Sequence, residues 1–509
     1  MPKTLNIAVI GAGTMAQAVH LPVLRRRWDR FTIAALVEHS PRRRREASDV
    51  WGLEEDTRYE SVADLIAAVR ARTLTLDGAV LSTDGLHVED LLALMRRGIP
   101  VLVEPPLGFS AEEVAEVADF ERMTGRRLVM MAYPQQYDDS VTRMAEHIAV
   151  KDLRMVDHEV LMPASQPLFG GAHVTTSSYD LPSEVRSQRR KALQAAVEAG
   201  TGDGATQRDR DLYVKGLLTG VAHQMAVIEA SYGPIVRLSA VRHWPKGVIP
   251  GSLELLGELE GGAQVRLVWH YLPFAPEYSE SLQVLSARRR MRVELPAPAH
   301  GDRRSSVSLR EKKSGVIQDT STTAPKGAAE LMWEAFHAFL DKGTQPVSGA
   351  AEAHDQVVLL REVLSSIVVA DGRSLEAEED EEGEEAEQDA DAASAGDDTA
   401  AVDTIAGTAT VDTVTDDAAA GDARQQDEPP AISAEPAPET LEQPVQHGEP
   451  GEPGEHAPTA APGAGEEVTD AWGPALDATD GPAADATGTG APATDAPATD
   501  ASAGDEPRS

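Results

Sequence analysis

Residues 5–16 read Leu-Asn-Ile-Ala-Val-Ile-Gly-Ala-Gly-Thr-Met-Ala, and no other stretch constrains the fold as strongly. A short apolar run enters a glycine turn and leaves it as a helix-forming segment extending to Arg27. This is the G-x-G-x-x-G/A pattern placed at a strand-to-helix junction. Gly11 permits the tight turn, and Gly13 has no Cβ to block the approach of a pyrophosphate. Thr14 and Met15 open the helix, whose first N–H groups and positive dipole end face the phosphates, and Ala16 lets helix and strand pack closely. A second apolar run ends at Glu38, about where an acid that binds the ribose hydroxyls is expected. The turn therefore reads as a dinucleotide site. Glu38 favours NAD, because a carboxylate repels the 2′-phosphate of NADP. Arg42, Arg43, Arg44 and Arg45 admit two readings: a solvated helix start, or a clamp for that phosphate, so NADP stays open.

The alternation continues. Apolar strands at 76–81, 100–103 and 128–131 are separated by amphipathic helices at 62–70 and 88–97, and Ser110 with Glu113 forms an S-x-x-E helix start. This predicts a doubly wound α/β Rossmann domain over residues 1–135, with the ligand beyond the carboxyl ends of the strands. Ser82, Glu104, Tyr133 and Tyr137 fall at those ends.

From residue 136 the pattern changes. A strand at 155–161 and a polar insertion at 165–211 precede a helix at 213–232. Strand patterns follow at 235–243, 252–259, 263–272, 282–286 and 291–295, then helices at 328–342 and 350–369. Residues 136–375 therefore read as an α+β domain with a large, mostly antiparallel sheet.

Composition matters chiefly beyond that point. Residues 376–509 carry 36 Asp and Glu against two Arg and no Lys, so about −34 of the net charge of −38 lies there and about −4 in the body. Such a segment, with Trp472 as its one aromatic, cannot bury enough apolar surface to order itself. It is expected to be a disordered acidic tail whose partner the sequence does not indicate. A body so charged makes a poor nucleic-acid binder. The absence of cysteine excludes disulfides and thiol nucleophiles. No apolar run has the length of a signal-peptide core or a membrane span, so a soluble, cytoplasmic protein is expected. The histidines lack metal-ligand spacing, so no metal is expected.

His223 lies mid-helix among Val221, Ala222, Met225 and Ala226. On that pattern alone a core histidine is the plainer reading. Thr219 and Lys215 lie four and eight residues earlier on the same face, and Tyr213 offers a further donor.

The order of motifs resembles the Gfo/Idh/MocA family, named for glucose–fructose oxidoreductase, inositol dehydrogenase and MocA. The resemblance spans about residues 3–375. It rests on the glycine turn, on residues 82–87 (Ser-Thr-Asp-Gly-Leu-His), on residues 98–107 (Gly-Ile-Pro-Val-Leu-Val-Glu-Pro-Pro-Leu), on His223, and on residues 335–340 with 343–346. It implies an NAD(P)-dependent oxidoreductase acting on a sugar, polyol or related small hydroxy or carbonyl compound, and homo-oligomers formed through the second-domain sheet. It also implies that His223 carries proton transfer and that His87 lies near the cofactor. Glu104 reads either as a strand-end carboxylate that orients the nicotinamide ribose or as a surface acid before a Pro-Pro turn. The departures are specific. The family's Glu-Lys-Pro is Glu104-Pro105-Pro106 here, its Asp four residues before the histidine is Thr219, and its Arg near the end of the first domain is Gln136. The expected catalytic set is therefore reduced to His223, with Thr219 and Lys215 as candidate partners. A dinucleotide-binding pseudoenzyme is the alternative.

Overall fold

The computed structural model describes residues 3–376, apart from 84, 165–167, 170–171, 173, 175–179 and 301–302. The acidic stretch 377–509, expected to lack fixed structure, lies outside the described residues, as does Asp84.

Six strands form the first sheet: β1 (Leu5–Ile10), β2 (Phe31–Val37), β3 (Arg58–Tyr59), β4 (Gly78–Leu81), β5 (Val101–Val103) and β6 (Val129–Met131). Their order is β3-β2-β1-β4-β5-β6 and every pairing is parallel, which is the doubly wound dinucleotide-binding arrangement. The strands are short and apolar because both faces are covered. Ala8, Ile10, Ala79, Leu81, Val101 and Val103 face one core. Ile7, Val9, Val80, Leu102 and Met130 face the other, where Met332, Trp333 and Phe336 complete the packing. Those three belong to the helix Ala328–Lys342, so a segment that follows the second sheet in the chain returns to close the first.

Serine caps position the helices. Ser40, Ser61 and Ser110 each accept the N–H of the third residue beyond them. Glu113 takes the N–H of Phe109 at 2.8 Å, one residue before the cap.

The second sheet has eight strands: β7 (Leu153–Met162), β8 (Ile235–Trp244), β9 (Ser252–Leu259), β10 (Gln264–Tyr271), β11 (Ser279–Ser286), β12 (Arg289–Leu295), β13 (Ser306–Lys313) and β14 (Val316–Thr323). Their order is β14-β13-β12-β11-β7-β10-β9-β8, antiparallel except for β7 with β10. Val156, Leu267, Leu255, Leu282 and Val293 point into the core. The opposite face carries charge, with Arg266 bonded to Asp157 at 3.1 Å and Glu254 at 2.7 Å. Sequence patterning misses β13 and β14, because their alternation is largely polar and every residue of β14 is exposed. The turn joining them holds Ser314 and Gly315 at φ +50° and +84°, the left-handed pair that suits a two-residue hairpin.

Candidate functional site

The glycine turn has two different glycines. Gly11 adopts φ +87°, and a Cβ there would meet the Ser82 carbonyl oxygen at 2.2 Å. The fold itself therefore demands glycine at that position. A Cβ on Gly13 would meet nothing nearer than 3.8 Å, and its φ is unremarkable. The fold gives no reason for a glycine there, whereas a pyrophosphate resting on the turn does. Ala16 is fully buried against the strand, as the motif requires. Thr14 and Met15 lie partly exposed at the head of the helical turn, where the first N–H groups have no partners within the helix.

Glu38 is buried at the end of β2 and spans the turn. One oxygen accepts the N–H of Ala12 at 2.9 Å and the other the N–H of Ser40 at 3.0 Å. Each carboxylate oxygen retains a further lone pair, so ribose hydroxyls can still be bound. Three of the arginines that follow are engaged within the protein: Arg42 with Glu46 at 2.7 Å, Arg43 with Glu38 at 3.8 Å, and Arg44 with Glu60 at 3.9 Å.

Ser82 directly follows β4, with its carbonyl against Gly11. His87 is buried, with Nδ1 bonded to the Thr83 hydroxyl at 2.6 Å. Glu104 follows β5 and bonds Nε2 of His20 at 2.6 Å, while the indole N–H of Trp333 donates to Nδ1 of the same ring at 3.2 Å. An indole is a donor only, so Nδ1 must accept and Nε2 must carry the proton that Glu104 receives. Sequence reasoning missed this chain of contacts. His20 sits one helical turn beyond the glycine motif, but its partners lie 84 and 313 residues away, and no local pattern links them.

His223 lies half-buried on the helix Ala222–Tyr232, and burial pushes its pKa down to about 4. The preceding residues Tyr213–Val221 run as a wider π-helical segment rather than as the single α-helix expected over 213–232; such insertions recur at functional sites. Gly220 lets this segment press on β10, since a Cβ there would meet the Trp269 ring at 2.6 Å. Gln224 then pins the helix to β7 and β10 through the carbonyls of His158 and Val268, at 3.0 and 3.1 Å. The Tyr133 ring meets the His223 ring edge-on, with centroids 5.0 Å apart. The Tyr133 hydroxyl donates to Gln356 at 2.5 Å, and Gln356 in turn donates to the Ala222 carbonyl at 2.9 Å. Tyr137 instead packs against the first-sheet core. Gln136 is buried and bonds the Ala226 carbonyl and the Ser348 hydroxyl, at 3.0 and 2.7 Å. It joins the end of the first sheet to the His223 helix.

The expected partners of His223 are occupied elsewhere. The Thr219 hydroxyl is within 3.0 Å of the Val214 carbonyl and 2.9 Å of the Lys215 carbonyl, both on its own helix. Lys215 faces Asp211 at 3.7 Å. Tyr213 is buried and donates to the Phe109 carbonyl at 2.9 Å. His243, His270 and His337 bond Pro250, Ser252 and Lys3 respectively. Among the described residues no group of three or more His, Cys, Asp or Glu could hold a metal, and no helix is long and apolar enough to cross a membrane.

Residues 5–133 match the model of the oxidoreductase family GFO_IDH_MocA, with its NAD-binding Rossmann fold. The chain is 28% identical over 177 residues to an inositol 2-dehydrogenase from Arthrobacter sp., covering 33% of this chain and 49% of that enzyme. It is 30% identical over 153 residues to an inositol 2-dehydrogenase from Streptomyces avermitilis, covering 30% of this chain and 41% of that enzyme. It thus spans less than half the length of these curated relatives. Two solved structures share the fold over most of the described residues. An aldose-aldose oxidoreductase from Caulobacter crescentus, complexed with glycerol, has a TM-score of 0.52 at 14% identity, covering 73% of this chain and 99% of its own. A 3-ketoreductase from Actinomadura kijaniata, in complex with NADP and TDP-benzene, has a TM-score of 0.51 at 14% identity, covering 72% and 98%. The segment from Leu5 to Tyr133 is therefore similar to the NAD-binding Rossmann domain of the Gfo/Idh/MocA oxidoreductase family.

Proposed function

We propose that the protein is an NAD(P)-dependent oxidoreductase that interconverts a hydroxyl and a carbonyl group on a sugar, polyol or related small molecule. The observation that carries this reading is the edge-on meeting of Tyr133, at a strand end of the first sheet, with His223, on the helix laid on the second. The relatives named inositol 2-dehydrogenase support the substrate class. A bound nicotinamide supplies the hydride acceptor or donor. Gly13 leaves room for the pyrophosphate and Glu38 takes the ribose. Glu104, held by His20 with Trp333 behind it, orients the nicotinamide end. His223, with a pKa of about 4, is neutral at pH 7 and accepts the hydroxyl proton during oxidation. Tyr133 fixes the plane of the imidazole from its edge.

One observation favours a second reading. Pro105 replaces the family lysine, Thr219 bonds its own helix, and Lys215 faces Asp211, so none of these brings a second proton donor to His223. A dinucleotide-binding pseudoenzyme with a regulatory role fits that arrangement. The same proposal extends to assembly: the charged outer face of the second sheet is the surface through which copies would pair.

The test is a panel of polyols, sugars and their ketones, assayed by NADH fluorescence with the parent and with His223→Ala. We expect turnover on at least one polyol or sugar, lowered about 10²–10⁴-fold in His223→Ala with little change in NADH affinity. NADH binding without turnover on any substrate gives the pseudoenzyme reading. Equal turnover in the two proteins removes His223 from the chemistry.

A further inference from the structure

The groups that follow Glu38 already hold an anion supplied by the chain itself. Asp180 lies in the polar insertion, 140 residues from Ser40. One of its oxygens accepts the Ser40 hydroxyl at 2.7 Å, and the other accepts the backbone N–H of Arg42 at 2.7 Å. These contacts, together with the nearby Arg43, hold the Asp180 carboxyl below the usual carboxylate range. Further along the insertion, Leu193 and Val197 of the helix Ser183–Thr201 are buried, and Gly200 lies so close to Phe109 that a Cβ would meet its carbonyl oxygen at 2.1 Å.

The location gives the contact its meaning. Ser40 also donates its N–H to Glu38, and Arg43 reaches the same carboxylate at 3.8 Å. Asp180 is therefore one residue removed from the carboxylate that takes the adenosine ribose. A hydroxyl, a backbone N–H at a helix start and a guanidinium are the donors that bind a 2′-phosphate on that ribose. Here a carboxylate occupies two of them, and Glu38 adds a second negative charge beside it.

The geometry points to Asp180 as a determinant of cofactor specificity: its carboxylate occupies the 2′-phosphate position and makes the site selective for NAD over NADP. This rests on the dinucleotide reading of the glycine turn. It resolves the ambiguity of the four arginines, because the phosphate-binding donors are present but are filled from within. NAD, whose ribose carries a hydroxyl in place of the phosphate, leaves the Asp180 contacts intact. NADP must displace Asp180 or accept its charge beside a phosphate.

The experiment is fluorescence titration of NADH and NADPH against the full chain, the Asp180→Asn and Asp180→Ala variants, and Asp180→Ala combined with Arg43→Ala. Removing the charge should tighten NADPH by about tenfold or more, as expected for one opposing charge at hydrogen-bond range, while NADH changes less than about twofold. The added Arg43→Ala should reverse most of that gain. If NADPH affinity is unchanged in both single variants, or if NADH and NADPH weaken together, Asp180 is only a helix cap and the inference is overturned. If the parent binds neither cofactor, the dinucleotide reading fails and this one with it.

Discussion

The glycine turn and the side chains around Glu104 and His223 are brought together in opposite ways. The turn is made from neighbours: Gly11, Ala12, Gly13 and Ala16 lie within six residues, and Glu38 joins them from the next strand. The Glu104 and His223 contacts are made from distant pieces. Glu104 is held by His20, which Trp333 holds in turn, and Tyr133 touches His223 and Gln356. The turn carries its information in backbone geometry, which tolerates few residue types. The Glu104 and His223 contacts carry it in side chains brought together by packing, where one position can change without disturbing the rest. That difference explains how the glycine turn stays intact while Pro105 and Thr219 replace the residues that the family resemblance implies.

The comparison can be broken most forcefully at Gly11. Gly11→Ala places a Cβ at 2.2 Å from the Ser82 carbonyl and forces a left-handed φ on alanine. We expect a loss of about 3 kcal/mol or more in urea unfolding, combining overpacking with backbone strain. A variant of parental stability would show that the turn relaxes easily and that its geometry is less restrictive than argued here.

A smaller effect is expected on the helix that carries His223. Burial, followed by the charges of Glu352 and Asp355, pushes Glu229 up to about 7. The native state then retains a proton that the unfolded chain has already released. Stability is accordingly greatest below the ordinary glutamate pKa and falls as pH rises through about 7. Glu229→Gln removes that loss. It should stabilise the protein by about 1–2 kcal/mol at pH 8, after allowing for partial solvent screening, with the gain shrinking toward pH 5. A gain of equal size at both pH values would assign the effect to packing instead of charge.

The same contrast governs what could be read from the sequence. The parallel sheet was legible because its strands are continuous apolar runs alternating with amphipathic helices. Gly11, Gly13 and Glu38 were legible because their spacing is local. β13 and β14 were missed because exposed strands are not marked by burial. The return of Trp333 and Phe336 to the first sheet could not be read, since hydrophobic periodicity shows that a helix has a buried face but not what covers it. For the same reason the sequence placed Thr219 on the His223 face, yet could not show that its hydroxyl is bonded to the carbonyls of its own helix.

The central claim is that the glycine turn is shaped for a dinucleotide and not only for the fold, and Gly13 separates the two. A Cβ at this position meets no protein atom nearer than 3.8 Å, so the structure accommodates it, whereas a pyrophosphate lying on the turn would not. The most direct measurement is NADH titration of Gly13→Val beside the parent, with the thermal midpoint of each recorded in the same buffer. The account predicts that the parent binds NADH, and that Gly13→Val melts within a few degrees of the parent while losing NADH binding by about a hundredfold or more. NADH binding of parental strength by a folded Gly13→Val protein would contradict it.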